Sequence, residues 1–155
     1  MEERLIVEKE IKSNAPTAKV WDILTKSEWT KQYMFGCEPV TVWNPESPIL
    51  GKGASNGVAY AKGNIKDIKA RELLQYTTVN ANSEYTDDPE NYLTVTCKLH
   101  EQDGYTLLSV SQGDFSSVQN AEARYADAVG NWDMVLPKIE ELAESKKKYL
   151  MNETL

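Results

Sequence analysis

The stretch from Ser116 to Lys148 constrains this chain more than any other. Apolar residues recur at Tyr125, Val129, Trp132, Leu136, Ile139 and Ala143, three and four apart. That spacing gathers them into one stripe of an α-helix, with Asp127, Asn131, Asp133, Lys138 and Glu141 on the other faces. A stripe this long, following a series of alternating segments, needs a sheet to lie on. Ser116 and Gln119 have capping-box spacing, which predicts a helix start at Ser116. Gly130 costs about 1 kcal/mol relative to alanine. Pro137 would remove the hydrogen bond to the Asp133 carbonyl, at ~3 kcal/mol in a helix interior. The stripe keeps its phase across both residues, so one kinked helix is expected. Lys146 to Lys148 read as cations favoured at its C-terminus.

The preceding residues supply the sheet. Leu5, Val7 and Ile11 share one parity against Glu8, Glu10 and Lys12, a half-buried strand in which Ile6 and Lys9 are exceptions. Pro16 then suits a first helical position, and Val20, Trp21 and Leu24 share a face of a short helix, with Trp21 expected in the core. Ser27 reads as the N-cap of a second short helix, stopped by Gly36. Val40 and Val42 alternate with Thr41 and Trp43, a strand, before a loop at 44–48. Gly51 to Gly57 marks a hairpin turn. Strands are expected at Val58–Lys62 and Asn64–Arg71, with Gly63 a bulge, and from Leu74 to near Asn80. Residues 82–91 read as an exposed loop. Val95, Cys97 and Leu99 form another alternating set, and Asp103-Gly104 turns the chain into a strand at Tyr105–Val110. No repeat or linker interrupts the pattern, so residues 1–155 are expected to form a single domain.

Charge narrows the function classes. A formal net charge of −7 disfavours nucleic acid and anionic lipid surfaces, whose phosphates the average field repels. No apolar run is long enough for a membrane span, and no targeting segment follows Met1–Arg4. Cys37 and Cys97 stand far apart and only one histidine is present, so neither a metal site nor a cofactor is indicated. Two ordinary thiols suit a reducing compartment, and a cytoplasmic location is expected. The sequon at Asn152 is discounted on that ground.

The order is thus strand, two short helices, about six strands, long helix. It resembles the START-like helix-grip superfamily, also called SRPBCC, and within it the activator of heat shock protein 90 ATPase homologue branch. The likeness rests on Ile11–Thr25, with its strand, alanine-proline and Val-Trp helix, and on Gly63–Tyr76, similar to a Gly-x-Ile-x-x-Ile strand followed by Leu-x-Tyr. It rests also on the Tyr92–Val110 hairpin and on Gly130-Asn131-Trp132 through Leu142, where an asparagine separates the glycine and tryptophan of the family pattern. The resemblance implies an α+β helix-grip fold. A curved antiparallel sheet of about six to seven strands would wrap a long C-terminal helix, two short helices would follow the first strand, and an apolar cavity would lie between sheet and helix.

Catalytic signals are sparse. The Gly51–Gly57 stretch lacks phosphate-loop spacing and a following helix. His100 has the parity of the wet face, Asp87, Asp88 and Glu90 lie in a turn-rich loop, and neither cysteine has a histidine partner. The aromatic residues say more. Four tryptophans and eight tyrosines outnumber two phenylalanines, and both favoured types combine apolar area with a polar handle that suits a partly wet cavity. Trp29, Tyr33, Trp43, Tyr60, Tyr76 and Trp132 are the candidate cavity wall, and Gly130 a place where a missing side chain leaves room. The preferred expectation is non-enzymatic binding of a small hydrophobic or amphipathic molecule, lipid or polyketide-like. The resemblance also implies a chaperone-ATPase regulator as the alternative and, third, a polyketide cyclase-like enzyme using Tyr76 or His100. Monomer and homodimer both remain open.

Overall fold

The computed structural model describes residues 5–81 and 91–145. Seven antiparallel strands form one curved sheet: β1 (Val7–Ser13), β2 (Cys37–Val40), β3 (Pro48–Gly53), β4 (Ala59–Lys69), β5 (Leu73–Asn80), β6 (Leu93–Gln102) and β7 (Tyr105–Gly113). Their spatial order is β1-β7-β6-β5-β4-β3-β2. The short helices α1 (Thr17–Thr25) and α2 (Ser27–Tyr33) follow β1, and the long helix α3 (Ala121–Glu144) closes the concave face. This is the expected α+β helix-grip arrangement. None of the described helices is long and apolar enough to cross a membrane.

Alternation along the strands decides which side faces α3. In β6, Leu93, Val95, Cys97 and Leu99 are buried while Lys98 and His100 are exposed. In β7, Thr106, Leu108 and Val110 point inward. On α3 the buried set is Ala128, Trp132, Val135, Leu136, Ile139 and Ala143. The expected stripe therefore holds from Trp132 onward and is widened by Ala128 and Val135. Asp103 and Gly104 both have positive φ, 51° and 85°, the backbone that a two-residue hairpin between right-twisted strands requires. Lys9 shares Val7's parity because its ammonium reaches Asp133 on α3, 3.0 Å away.

The structure corrects several expectations. The chain makes a short 3-10 turn at Phe115–Ser117 and breaks at Asn120, whose φ is 57°, before α3 starts at Ala121. Ser116 is no cap: its backbone N–H donates to Asp114 Oδ1 at 2.9 Å, and Asp114 also accepts from the Leu5 N–H. The Gln119 N–H goes to Asn91 Oδ1 rather than to Ser116. As the unbroken phase of the stripe predicts, Gly130 and Pro137 lie inside one helix. Pro16 is the N-cap of α1, which starts one residue later than predicted, and Lys26 is the N-cap of α2, which starts one residue earlier, so Ser27 is already helical. Trp21 is only partly buried, because Val20 and Ile23 point inward instead.

Strand β2 ends at Val40, leaving Val42 exposed and Trp43 in a left-handed conformation. The segments on either side of Gly63 are one strand, and the register shift falls between Ile65 and Asp67. Gly63 is there for closeness: a Cβ would overlap the Thr77 carbonyl of β5. Strand β7 runs on to Gly113 rather than ending at Val110. Asp87, Asp88, Glu90, Lys146 to Lys148 and Asn152 lie outside the described residues.

Candidate functional site

The concave face is built in rows. Antiparallel register places Ile65 beside Tyr76, Tyr76 beside Val95, Val95 beside Gln112, and Gln112 beside Val7. Residues directly opposite share a face, so this row crosses five strands on the side of α3. The neighbouring row runs Ile68, Leu74, Cys97, Val110, Lys9. Leu108, Val110 and Ile139 fill the space between sheet and helix toward the C-terminal half of α3. Toward its N-terminal half the two layers leave a half-open cavity of about 540 Å³ between them. Its floor includes Leu74, Tyr76, Val95, Cys97 and Gln112, and α3 contributes Ala128, Trp132 and Val135. Tyr33, Met34 and Phe35 enter from α2 and the turn after it, and Ile49, Tyr60 and Ala61 from β3 and β4.

Two hydrogen bonds organise the wall. Trp132 Nε1 donates to Gln112 Oε1 at 2.8 Å, tying α3 to β7. The Tyr33 hydroxyl donates to the Ile23 carbonyl at 2.8 Å, tying α2 to α1. At the start of α3, Arg124 Nη2 donates to the Asn91 carbonyl at 2.9 Å. Burial pushes the Cys97 thiol up to about 12. Burial, then the neighbouring Cys97, raises the Tyr76 hydroxyl, and burial with Tyr76 and Cys97 nearby raises that of Tyr33. Desolvation disfavours the charged form of all three. At neutral pH the wall is thus uncharged at these groups, and Cys97 is a thiol rather than a thiolate nucleophile.

Of the residues singled out in the sequence, Tyr33, Trp43, Tyr60, Tyr76 and Trp132 line this cavity. Trp29 and Gly130 do not. Trp29 is packed into the core at 4% exposure, one turn before Tyr33 on α2. Gly130 faces solvent, and a Cβ built there meets nothing within 4 Å. Helical phase explains this: two residues turn a helix by about 200°, so Gly130 lies opposite both Ala128 and Trp132.

The sequence reading missed Gln112, Arg124, Asp127 and Asn131, which also line the cavity. The spacing 124-127-128-131-135 would have found the helix residues, and the parity shared with Val110 would have found Gln112. His100 is exposed on the outer side of β6. The Gly51–Gly57 stretch is the end of β3 and its turn, closed by the Gly53 N–H to the Val58 carbonyl at 2.9 Å. Among the described residues no three His, Cys, Asp or Glu side chains converge on a metal position.

A family model described as activator of Hsp90 ATPase homolog 1-like protein matches residues 14–144. A solution structure from Cytophaga hutchinsonii is similar at 32% identity and a TM-score of 0.72, with 99% of each chain covered. CalU16 from Micromonospora echinospora is similar at 17% identity and a TM-score of 0.69, over 96% of this chain and 82% of that one. An HSP90 activator from Plasmodium falciparum is similar at 12% identity and a TM-score of 0.68, over 88% and 94%. The last two likenesses concern the fold alone. No curated protein matches the sequence.

Proposed function

Because the chain belongs to the family of activator of Hsp90 ATPase homolog 1-like proteins, in a fold that leaves room between helix and sheet, we propose that it binds a small hydrophobic or amphipathic molecule there without transforming it. The observation that carries this reading is the cavity of about 540 Å³ between α3 and the sheet. That size lies within the roughly 300–1,000 Å³ usual for small-molecule sites, and a mostly apolar wall with a few polar groups is their usual make-up. Tyr33, Trp43, Tyr60, Tyr76 and Trp132 would provide the aromatic contacts. The two free cysteines, one of them buried, suit a cytoplasmic setting.

Native mass spectrometry of the purified protein, followed by titration with the apolar fluorophore N-phenyl-1-naphthylamine, tests the reading. A copurifying small molecule, or saturable fluorophore uptake that Ala128→Phe abolishes, is expected. A protein that carries nothing and takes up no fluorophore overturns it.

A second reading, regulation of a chaperone ATPase, draws on the family and on Phe35, Val40 and Val42, which are exposed on and beside edge strand β2. Stimulation of a purified chaperone's ATPase that Phe35→Ser weakens would support it. No stimulation at saturating protein removes it.

A further inference from the structure

Two polar groups on the cavity floor have hydrogen-bonding capacity that the protein leaves unused. The first is the Gln112 amide. An indole N–H can only donate, so the atom facing Trp132 Nε1 at 2.8 Å must be the amide oxygen. That contact fixes the amide's orientation and turns its NH2 the other way. Among the described residues the NH2 takes no protein partner, and Gln112 lines the cavity. The second is the Tyr76 hydroxyl, which likewise takes no protein partner among the described residues and belongs to a cavity-lining side chain. It is not sealed off from water-sized access, unlike the Ser13 hydroxyl.

Both residues stand on the same row, flanking Val95. Strands about 4.8 Å apart put their backbones about 10 Å from each other, within reach of one group lying over Val95 from both sides. Two further polar side chains of the lining are engaged: Tyr33 with the Ile23 carbonyl, Arg124 with the Asn91 carbonyl.

We propose, on the cavity-binding reading above, that the ligand is an apolar frame bearing a neutral oxygen acceptor of ketone, enone or ester type, held over Val95 by donation from Tyr76 and Gln112. Both groups offer hydrogens, so an acceptor on the ligand satisfies them, whereas a pure hydrocarbon leaves both desolvated without a partner. A carboxylate is disfavoured, because burial penalises charge and neither donor is cationic. The Tyr76 hydroxyl, raised by burial, stays protonated and able to donate at neutral pH.

The test compares three ligands of one shape: fluorene, 9-fluorenone and fluorene-9-carboxylate, by calorimetric titration. Fluorenone is expected to bind about tenfold tighter than fluorene, toward the lower end of the fold-change two net hydrogen bonds produce, and tighter than the carboxylate. Tyr76→Phe removes one donor with the ring kept. Gln112→Glu keeps an oxygen for Trp132 and replaces the NH2 donor with an acceptor. Each is expected to reduce the fluorenone-to-fluorene ratio to about threefold or less. Equal binding of fluorenone and fluorene overturns the acceptor proposal and leaves the cavity reading standing. Tighter binding of the carboxylate overturns the neutral class. Failure of all three to bind overturns both. Should Gln112→Glu not fold, the wild-type ratio and Tyr76→Phe decide.

Discussion

Replacing Gly63 by alanine tests the closest approach in the sheet. A Cβ at this position would overlap the Thr77 carbonyl oxygen, lie 2.5 Å from its carbonyl carbon and 3.1 Å from Thr77 Oγ1. Real Cβ contacts under 3.0 Å are essentially never seen, and the obstructing atoms are backbone, so no rotamer change relieves the clash. Strand β5 would have to back away from β4 between the pairs Lys62–Val79 and Ile65–Tyr76. It would also strain the Asn64 N–H to Thr77 Oγ1 bond of 3.0 Å that bridges the gap. Overpacking costs about 1–3 kcal/mol where side chains can yield, and a backbone obstruction puts Gly63→Ala near ~3 kcal/mol. At a shift of about 2–4 °C per kcal/mol for a chain of this size, Tm should fall by about 6–12 °C. Gly51→Ala is the matched control, since its Cβ would sit 3.4 Å from the Ala61 Cβ, an ordinary contact. Thermal melts followed by circular dichroism measure both. If Gly63→Ala melts within about 2 °C of the wild type, and no lower than the control, the β4–β5 approach is wrong, and with it the placement of Tyr76 on the cavity floor.

Further expectations concern the helix, the edge strand and pH. Ile139→Ala empties a fully buried position between α3 and the sheet and should cost about 2–5 kcal/mol by urea unfolding; a loss under ~1 kcal/mol would deny the packing. Pro137 is exposed and has no N–H to offer the Asp133 carbonyl, so Pro137→Ala should stabilise by about 1–3 kcal/mol, and destabilisation would show that the proline sets a bend the fold needs. The Lys9–Asp133 pair is partly exposed, so a double-mutant cycle should give less than ~1 kcal/mol of coupling, shrinking in high salt. Because burial holds Cys97 up at about 12, the folded chain keeps a proton that the unfolded chain, with an ordinary thiol, releases near pH 9. Stability is therefore full below about pH 9 and falls as pH rises toward 12, by about 1.4 kcal/mol per pH unit for this group. Cys97→Ala should flatten the Tm-versus-pH curve over that interval, and an unchanged slope would contradict the burial.

Periodicity carried most of the architecture, and local contacts explain where it stopped. The stripe from Trp132 to Ala143 and the alternation at Val95, Cys97 and Leu99 were legible because burial repeats with the period of each element. The start of α3 was not, because Asp114 and Asn91 take the donors that a Ser116–Gln119 box would have shared, and Asn91 lies far away in sequence. Gly63 was misread as a bulge because closeness to Thr77 across a strand pair leaves no mark in the residues around it. In the site, Tyr33, Tyr76 and Trp132 could be guessed from chemistry. Gln112 could not be singled out until register placed it beside Val95 and Trp132 supplied the donor that orients it.

The two ends of the described chain are stitched together. Strand β1 pairs with β7, about a hundred residues away. The Asn14 N–H donates to Glu144 Oε2 at 2.9 Å, and Lys19 Nζ donates to the Ser145 carbonyl at 2.9 Å. Such distant pairing delays folding, since long loops must close before any contact rewards them. During synthesis β1 has no neighbour until β7 emerges, and the concave face stays uncovered until α3 follows. Through that interval Leu74, Val95 and Leu108 present the surface that later lines the core and cavity. A nascent chain of this design therefore passes through a stage in which its uncovered concave face is an aggregation hazard, one that the arrival of α3 removes.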